Sequence, residues 1–116
     1  MKQAQVLRPH HPELLIPLIL KEGDLIFGQE KKTQWKGWLW CRSNAEIYGW
    51  VPKSYLKESQ DKIGYFKVLQ DYNATELPVQ TGEQLTISFE ANGWAWVKSK
   101  NGDEGWVPMK NLLVKS

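Results

Sequence analysis

The sequence holds one cysteine, Cys41, among 116 residues. A lone cysteine excludes an internal disulfide and suits a reducing compartment, so a cytoplasmic protein is expected. Long apolar runs are missing too. Leu14 to Leu20 is seven residues, is broken by Pro17 and follows Arg8, His10, His11 and Glu13. That is too short to span a membrane, and it lacks the apolar core and small-residue cleavage site of a secretory signal. Charge of one sign is scarce. The net charge is +2, with nine basic and six acidic residues up to position 60 and six and seven after it. Neither half is a basic patch on the scale nucleic acid requires, so neither nucleic acid nor membrane is expected as a partner. His10 and His11 stand without a cysteine or further histidine nearby, which makes them weak metal ligands. Cys41 with His10 has no motif around it that would support a nucleophilic pair. No glycine-rich phosphate loop, cleft carboxylate pair or zinc-finger spacing occurs. The expectation is a chain that is not an enzyme and needs no cofactor or metal. Helical periodicity is also absent.

What is abundant is tryptophan. Six of the seven tryptophans fall in two copies of one unit. The first is Gly37-Trp38-Leu39-Trp40 followed by Gly49-Trp50-Val51-Pro52. The second is Gly93-Trp94-Ala95-Trp96 followed by Gly105-Trp106-Val107-Pro108. The interval from Trp38 to Trp50 equals that from Trp94 to Trp106, which marks an internal repeat.

Strand parity predicts what the unit makes. In an extended strand the two tryptophans of Gly-Trp-x-Trp share one face, and Ala95 and Val97 take the other. Lys100-Asn101-Gly102 is a hairpin signal. A two-residue turn would set inward Val97 against outward Trp106. A three-residue loop with Gly102 in the left-handed conformation instead pairs Trp96 with Trp106 and Trp94 with Pro108. The first copy pairs Trp40 with Trp50 and Trp38 with Pro52 by the same count, although Glu46 in place of the loop glycine secures that register less. Val51, Val107, Ala95, Val97, Leu25, Leu85 and Cys41 are expected in the core.

Two units of this size imply two very small domains. Each copy reads as a short strand, a long loop, a turn with a second strand, the tryptophan hairpin, a tight helical turn and a closing strand. The first copy carries three extra residues in each of two loops, one of them the polar stretch Gln29 to Lys36 with the additional Trp35. The expected boundaries are residues 1–57, a linker at 58–64, and residues 65–116.

Val68-Leu69-Gln70-Asp71-Tyr72, Glu76-Leu77, Thr81-Gly82-Glu83, Gly93-Trp94 and Gly105-Trp106-Val107-Pro108 follow one another in an order and spacing that resemble a Src-homology-3 (SH3) domain. The pair of copies is similar to tandem variant SH3 proteins of bacteria. The resemblance implies an all-β fold of two tandem SH3-like five-stranded β-barrels, and a protein-interaction module that binds proline-rich or extended peptides on Trp-rich outer faces. A polyproline helix is already extended and loses little entropy on binding, and flat aromatic rings suit its prolines.

Carried over by this resemblance, the second copy's platform is Tyr72, Trp94, Trp106 and Pro108, with Trp96 beside it. Glu76 takes the acidic position that pairs with a ligand Arg or Lys, so a proline-rich partner with a basic anchor is expected there. Gln70 and Asn111 replace two of the family's tyrosines. The first copy offers Trp38, Trp50, Pro52 and Tyr55, with Arg8 and His10 at tyrosine positions and Pro17 at the acidic one. Glu13 lies in its lengthened loop. Trp38 and Trp94 are expected to face a ligand, while Trp40 and Trp96 either extend the platform or are covered. Two other readings stand beside peptide binding. One is an assembly part whose aromatic faces are packed on each other or on a partner. The other is a bacterial cell-wall-binding domain of SH3 type. The sequence does not address oligomeric state.

Overall fold

A computed structural model describes residues 2–12, 16–33 and 35–115. Glu13, one of the candidate residues above, lies outside them. The strands are β1 (Lys2–Val6), β2 (Ile19–Leu20), β3 (Leu25–Gln29), β4 (Trp38–Arg42), β5 (Tyr48–Pro52) and β6 (Leu56–Glu58) in the first copy. In the second they are β7 (Tyr65–Val68), β8 (Tyr72–Asn73), β9 (Gln84–Ala91), β10 (Trp94–Ser99), β11 (Glu104–Pro108) and β12 (Leu112–Lys115). Helix among the described residues is confined to two single 3-10 turns, Lys53–Tyr55 and Met109–Asn111. The all-β expectation therefore holds.

The tryptophan hairpins have the register that parity predicts. Trp94 pairs with Pro108 and Trp96 with Trp106. Trp38 pairs with Pro52 and Trp40 with Trp50. Gly102 adopts φ +91°, and Glu46 adopts φ 63° at the matching place. A glutamate accepts there a left-handed conformation that glycine takes at no steric cost, because the three-residue loop demands it. Val51, Val107, Ala95, Val97 and Cys41 are each 0% exposed, and Leu85 is 1% exposed. Leu25 departs from expectation. It is 40% exposed while Ile26 is fully buried, so the inward phase of β3 is shifted by one residue.

The compact units do not follow the two sequence copies. Residues 16–74 form a central unit, and residues 1–15 with 75–116 form a split unit. In the central unit a five-stranded antiparallel sheet has the order β5-β4-β3-β7-β6, with β2 and β8 paired separately. The split unit has a five-stranded antiparallel sheet in the order β11-β10-β9-β1-β12. Each opening strand has thus gone to the other copy's sheet. β1 pairs with β9 and β12, and β7 pairs with β3 and β6. Residues 58–64, expected as an interdomain linker, form the turn of the β6–β7 hairpin. There the Ser59 amide donates to the Tyr65 carbonyl at 2.9 Å, and Ser59 Oγ accepts from the amides of Asp61 and Lys62. Along the chain, the central unit interrupts the split unit between residues 15 and 75.

Side-chain volume explains the exchange. Phe66 on β7 lies opposite Ile26, and Gly28 is two residues further along β3. A Cβ on Gly28 would come within 3.0 Å of the Phe66 ring and 2.6 Å of Leu39 Cδ2, so the ring occupies the space the glycine leaves. Ala4 on β1 lies opposite Leu85, and Ile87 holds the place on β9 that Gly28 holds on β3. Ala4 and Ile87 share one buried cluster. Without exchange, Phe66 would crowd Ile87 and Ala4 would leave a void over Gly28. Overpacking costs about 1–3 kcal/mol and large-to-small voids about 2–5 kcal/mol.

The register supplies a test. Gln5 pairs with Leu113 across β1 and β12, whereas contiguous copies would set Gln5 beside Lys57. A Gln5→Cys/Leu113→Cys variant is expected to form an intramolecular disulfide on mild oxidation, and Gln5→Cys/Lys57→Cys is not, because only directly opposed strand positions meet disulfide geometry. Mass spectrometry of the oxidised chains checks this; efficient cross-linking of the second pair would refute the exchange.

Candidate functional site

The exchange redistributes the candidate residues. Tyr72, on β8, pairs with Leu20 in the central unit. Trp94, Trp96, Trp106, Pro108 and Glu76 belong to the split unit. The four residues expected to form the platform are thus divided between the two units, Tyr72 in the central one and Trp94, Trp106 and Pro108 in the split one. Tyr72 instead meets Tyr55 edge-to-face at 5.3 Å, and its hydroxyl donates to the Trp50 carbonyl at 2.8 Å. The Leu69 amide donates to the Tyr55 carbonyl at 2.8 Å, tying the second copy's opening segment to the first copy's 3-10 turn. Tyr55, Tyr72, Trp38, Trp50 and Pro52 are in this way gathered in the central unit. Burial raises the Tyr55 hydroxyl above its ordinary pKa, while a hydrogen bond with Gln70 pulls it the other way.

Several of these rings are buried rather than ligand-facing. Trp38 and Tyr72 are each 5% exposed, and Pro52 is among the fully buried side chains. The expected exposure of Trp38 does not hold. Trp50 and Tyr55 are half-buried. Trp40, also half-buried, stacks on Tyr48 at 6.0 Å, packs edge-on against Trp50 at 5.1 Å, and has Lys31 Nζ 4.0 Å over its ring.

In the split unit, Trp106 is 3% exposed and Pro108 is buried, while Trp94 and Trp96 are half-buried. Phe89, Trp96 and Trp106 form an aromatic triangle with centroids 5.5–6.2 Å apart. Gly105, next to Trp106, allows a close backbone approach, since a Cβ there would lie 2.7 Å from the Leu77 amide nitrogen. Glu76 is already partnered. Its Oε1 lies 2.8 Å from His10 Nε2, both side chains are largely buried, and the His10 ring meets Trp94 edge-on at 5.5 Å. His10 comes from the first copy, so the exchange puts the two residues side by side. Asn111, at a tyrosine position, uses Nδ2 to donate to the carbonyls of Arg8 and Pro9 and holds that loop down.

One feature of the central unit was noted in the sequence only as a polar loop with an odd tryptophan. The segment between β3 and β4 opens a cleft of about 490 Å³ lined by Lys31, Lys32, Lys36, Lys53, Glu30, Trp35 and Trp38. The signal that could have found it was the three-residue insertion in a lysine-rich segment.

Each unit carries a five-stranded antiparallel sheet and an aromatic cluster, and no group of three or more His, Cys, Asp or Glu that could hold a metal ion occurs among the described residues. The family model of the variant SH3 domain matches residues 65–114. That segment runs through both units, residues 65–74 in the central one and 75–114 in the split one. No curated protein and no solved structure matches the chain. SH3-type domains are in general non-catalytic modules that bind protein or peptide partners.

Cys41 is fully buried in the central unit, and burial pushes its thiol up to about 12. The thiol is protonated at pH 8, and only a thiolate reacts readily. Native protein at pH 8 is therefore expected to resist a thiol reagent that labels the denatured chain completely; rapid native labelling would contradict this burial.

Proposed function

We propose that the chain is a non-catalytic module for extended, proline-containing protein segments, and that the central unit provides the binding side. The observation that carries this reading is the gathering of Tyr55, Tyr72, Trp38, Trp50 and Pro52 in one unit by residues from both sequence copies. These are the residue types that cradle a polyproline helix in SH3 domains. Half-buried Tyr55 and Trp50 offer ring surface to a ligand, while buried Tyr72 and Pro52 hold them in place. Half-buried anchors of this kind, set among covered neighbours, are where interface energy concentrates. The split unit is the weaker candidate. Its acidic position is taken by His10, and Asn111 stands where a wall tyrosine would be.

A second reading has its own support. Trp38, Tyr72 and Trp106 are each no more than 5% exposed, as an assembly part with covered aromatic faces would have them. The two readings separate by mutation at half-buried positions. Tyr55→Ala is expected to weaken binding of a proline-rich peptide by about tenfold to thirtyfold, since an aromatic hot spot is worth about 1.4–2 kcal/mol. Trp94→Ala is expected to leave that binding within about twofold, because Trp94 is not one of the five residues gathered in the central unit. Isothermal titration with circular dichroism as the folding check measures both. Equal binding by parent and a folded Tyr55→Ala variant would reject the central unit as the peptide site.

A further inference from the structure

We propose that the cleft between β3 and β4 of the central unit seats an acidic side chain, Asp or Glu, of the bound protein segment. This rests on the central unit being the peptide-binding side, and it names the anchor that side selects. The charge differs from what the sequence alone implied for the second copy. There a carboxylate, Glu76, was expected to meet a basic anchor. In the central unit the matching position is Pro17, and the cleft carries four lysines and one carboxylate. Glu30 is neutralised by Lys53, whose Nζ lies 2.6 Å away. Lys31 rests over the Trp40 ring, a contact that leaves its positive charge uncompensated. Lys32 and Lys36 have no carboxylate partner among the described residues. Three net positive charges therefore border one cleft, and a segment carrying a carboxylate would find counter-charge there without displacing an existing ion pair.

The loop that borders the cleft is tied to the rest of the unit by hydrogen bonds. The Lys53 amide donates to the Gly37 carbonyl at 2.8 Å and ties the loop's end to the 3-10 turn that bears Tyr55. Thr33 Oγ1 accepts from the Trp35 amide at 3.1 Å. Half-buried Trp35 lines the cleft with indole surface, which suits the carbon stem of an anchor residue whose carboxylate reaches the ammonium groups. The split unit has no counterpart. There β9 turns directly into β10 through Asn92-Gly93, with φ 46° and 91°, and no lysine lies in the turn. The three residues inserted in the first copy make the difference. Peptide is favoured over nucleic acid because the lysines surround one cleft on a chain of net charge +2, whereas phosphate tracking needs a basic stripe.

The test uses the full chain and three synthetic peptides of one proline-rich frame, with Glu, Gln or Lys at a single position. Tryptophan fluorescence titration is expected to rank Glu above Gln above Lys, Glu exceeding Gln by about tenfold at low salt, as two or three exposed ion pairs would provide. The preference should shrink as salt rises, because charges at a surface are screened beyond about 8 Å at physiological ionic strength. Lys32→Glu/Lys36→Glu should abolish or reverse it. Both side chains are exposed, and circular dichroism confirms that the variant folds. Equal binding of the three peptides, or a Glu preference that survives the double reversal, would overturn the acidic anchor while leaving the peptide module standing. Failure of all three to bind would overturn both readings. An oligonucleotide binding more tightly than the Glu peptide, or inorganic phosphate competing at a similar concentration, would overturn the proposal in favour of nucleic acid or a simple anion site.

Discussion

The strand exchange turns on one matching of volumes, between Phe66 and Gly28 in one sheet and between Ala4 and Ile87 in the other. Phe66 needs an empty place beside it, and Gly28 supplies it; Ile87 needs a small neighbour, and Ala4 is one. Two nearly equivalent sheets would otherwise accept either opening strand, since the backbone ladder of an antiparallel strand is nearly sequence-blind. Packing at a buried face discriminates by several kcal/mol, as close-packed interiors tolerate neither voids nor crowding. The strand assignment then decides every later feature, because each opening strand carries half of a long loop with it.

The loop halves bring chemistry with them. Asp71 and Tyr72 arrive in the central unit with β7, and Tyr72 locks to Trp50 and Tyr55. Arg8, Pro9 and His10 arrive in the split unit with β1, where Asn111 holds the first two by their carbonyls and Glu76 takes the third. Two units, each with a five-stranded antiparallel sheet, acquire opposite character. One collects tyrosines and a basic cleft, and the other closes its acidic position with a histidine. Loops accept added length of this kind at small entropic cost.

Much was legible in the residues alone. The tryptophan intervals specified the repeat, and the rule that paired residues share a face specified both hairpin registers, including the left-handed place that Glu46 fills. The inward set of Val51, Val107, Ala95, Val97, Leu85 and Cys41 followed from the same parity, with Leu25 the exception. These successes share a cause: hairpin geometry is local, and period-two alternation carries its information within a few residues.

The sequence by itself thus determined an all-β chain with a duplicated tryptophan hairpin and an SH3-type second copy. The tertiary structure alone decided which opening strand belongs to which sheet, and therefore which tyrosines meet which tryptophans, why Glu76 is partnered, and where lysines border a cleft. Pairings such as Ala4 with Leu85 and Phe66 with Ile26 span stretches of chain that no local pattern links. They are settled by the fit of side chains within each sheet, which appears only when strands distant in sequence have met.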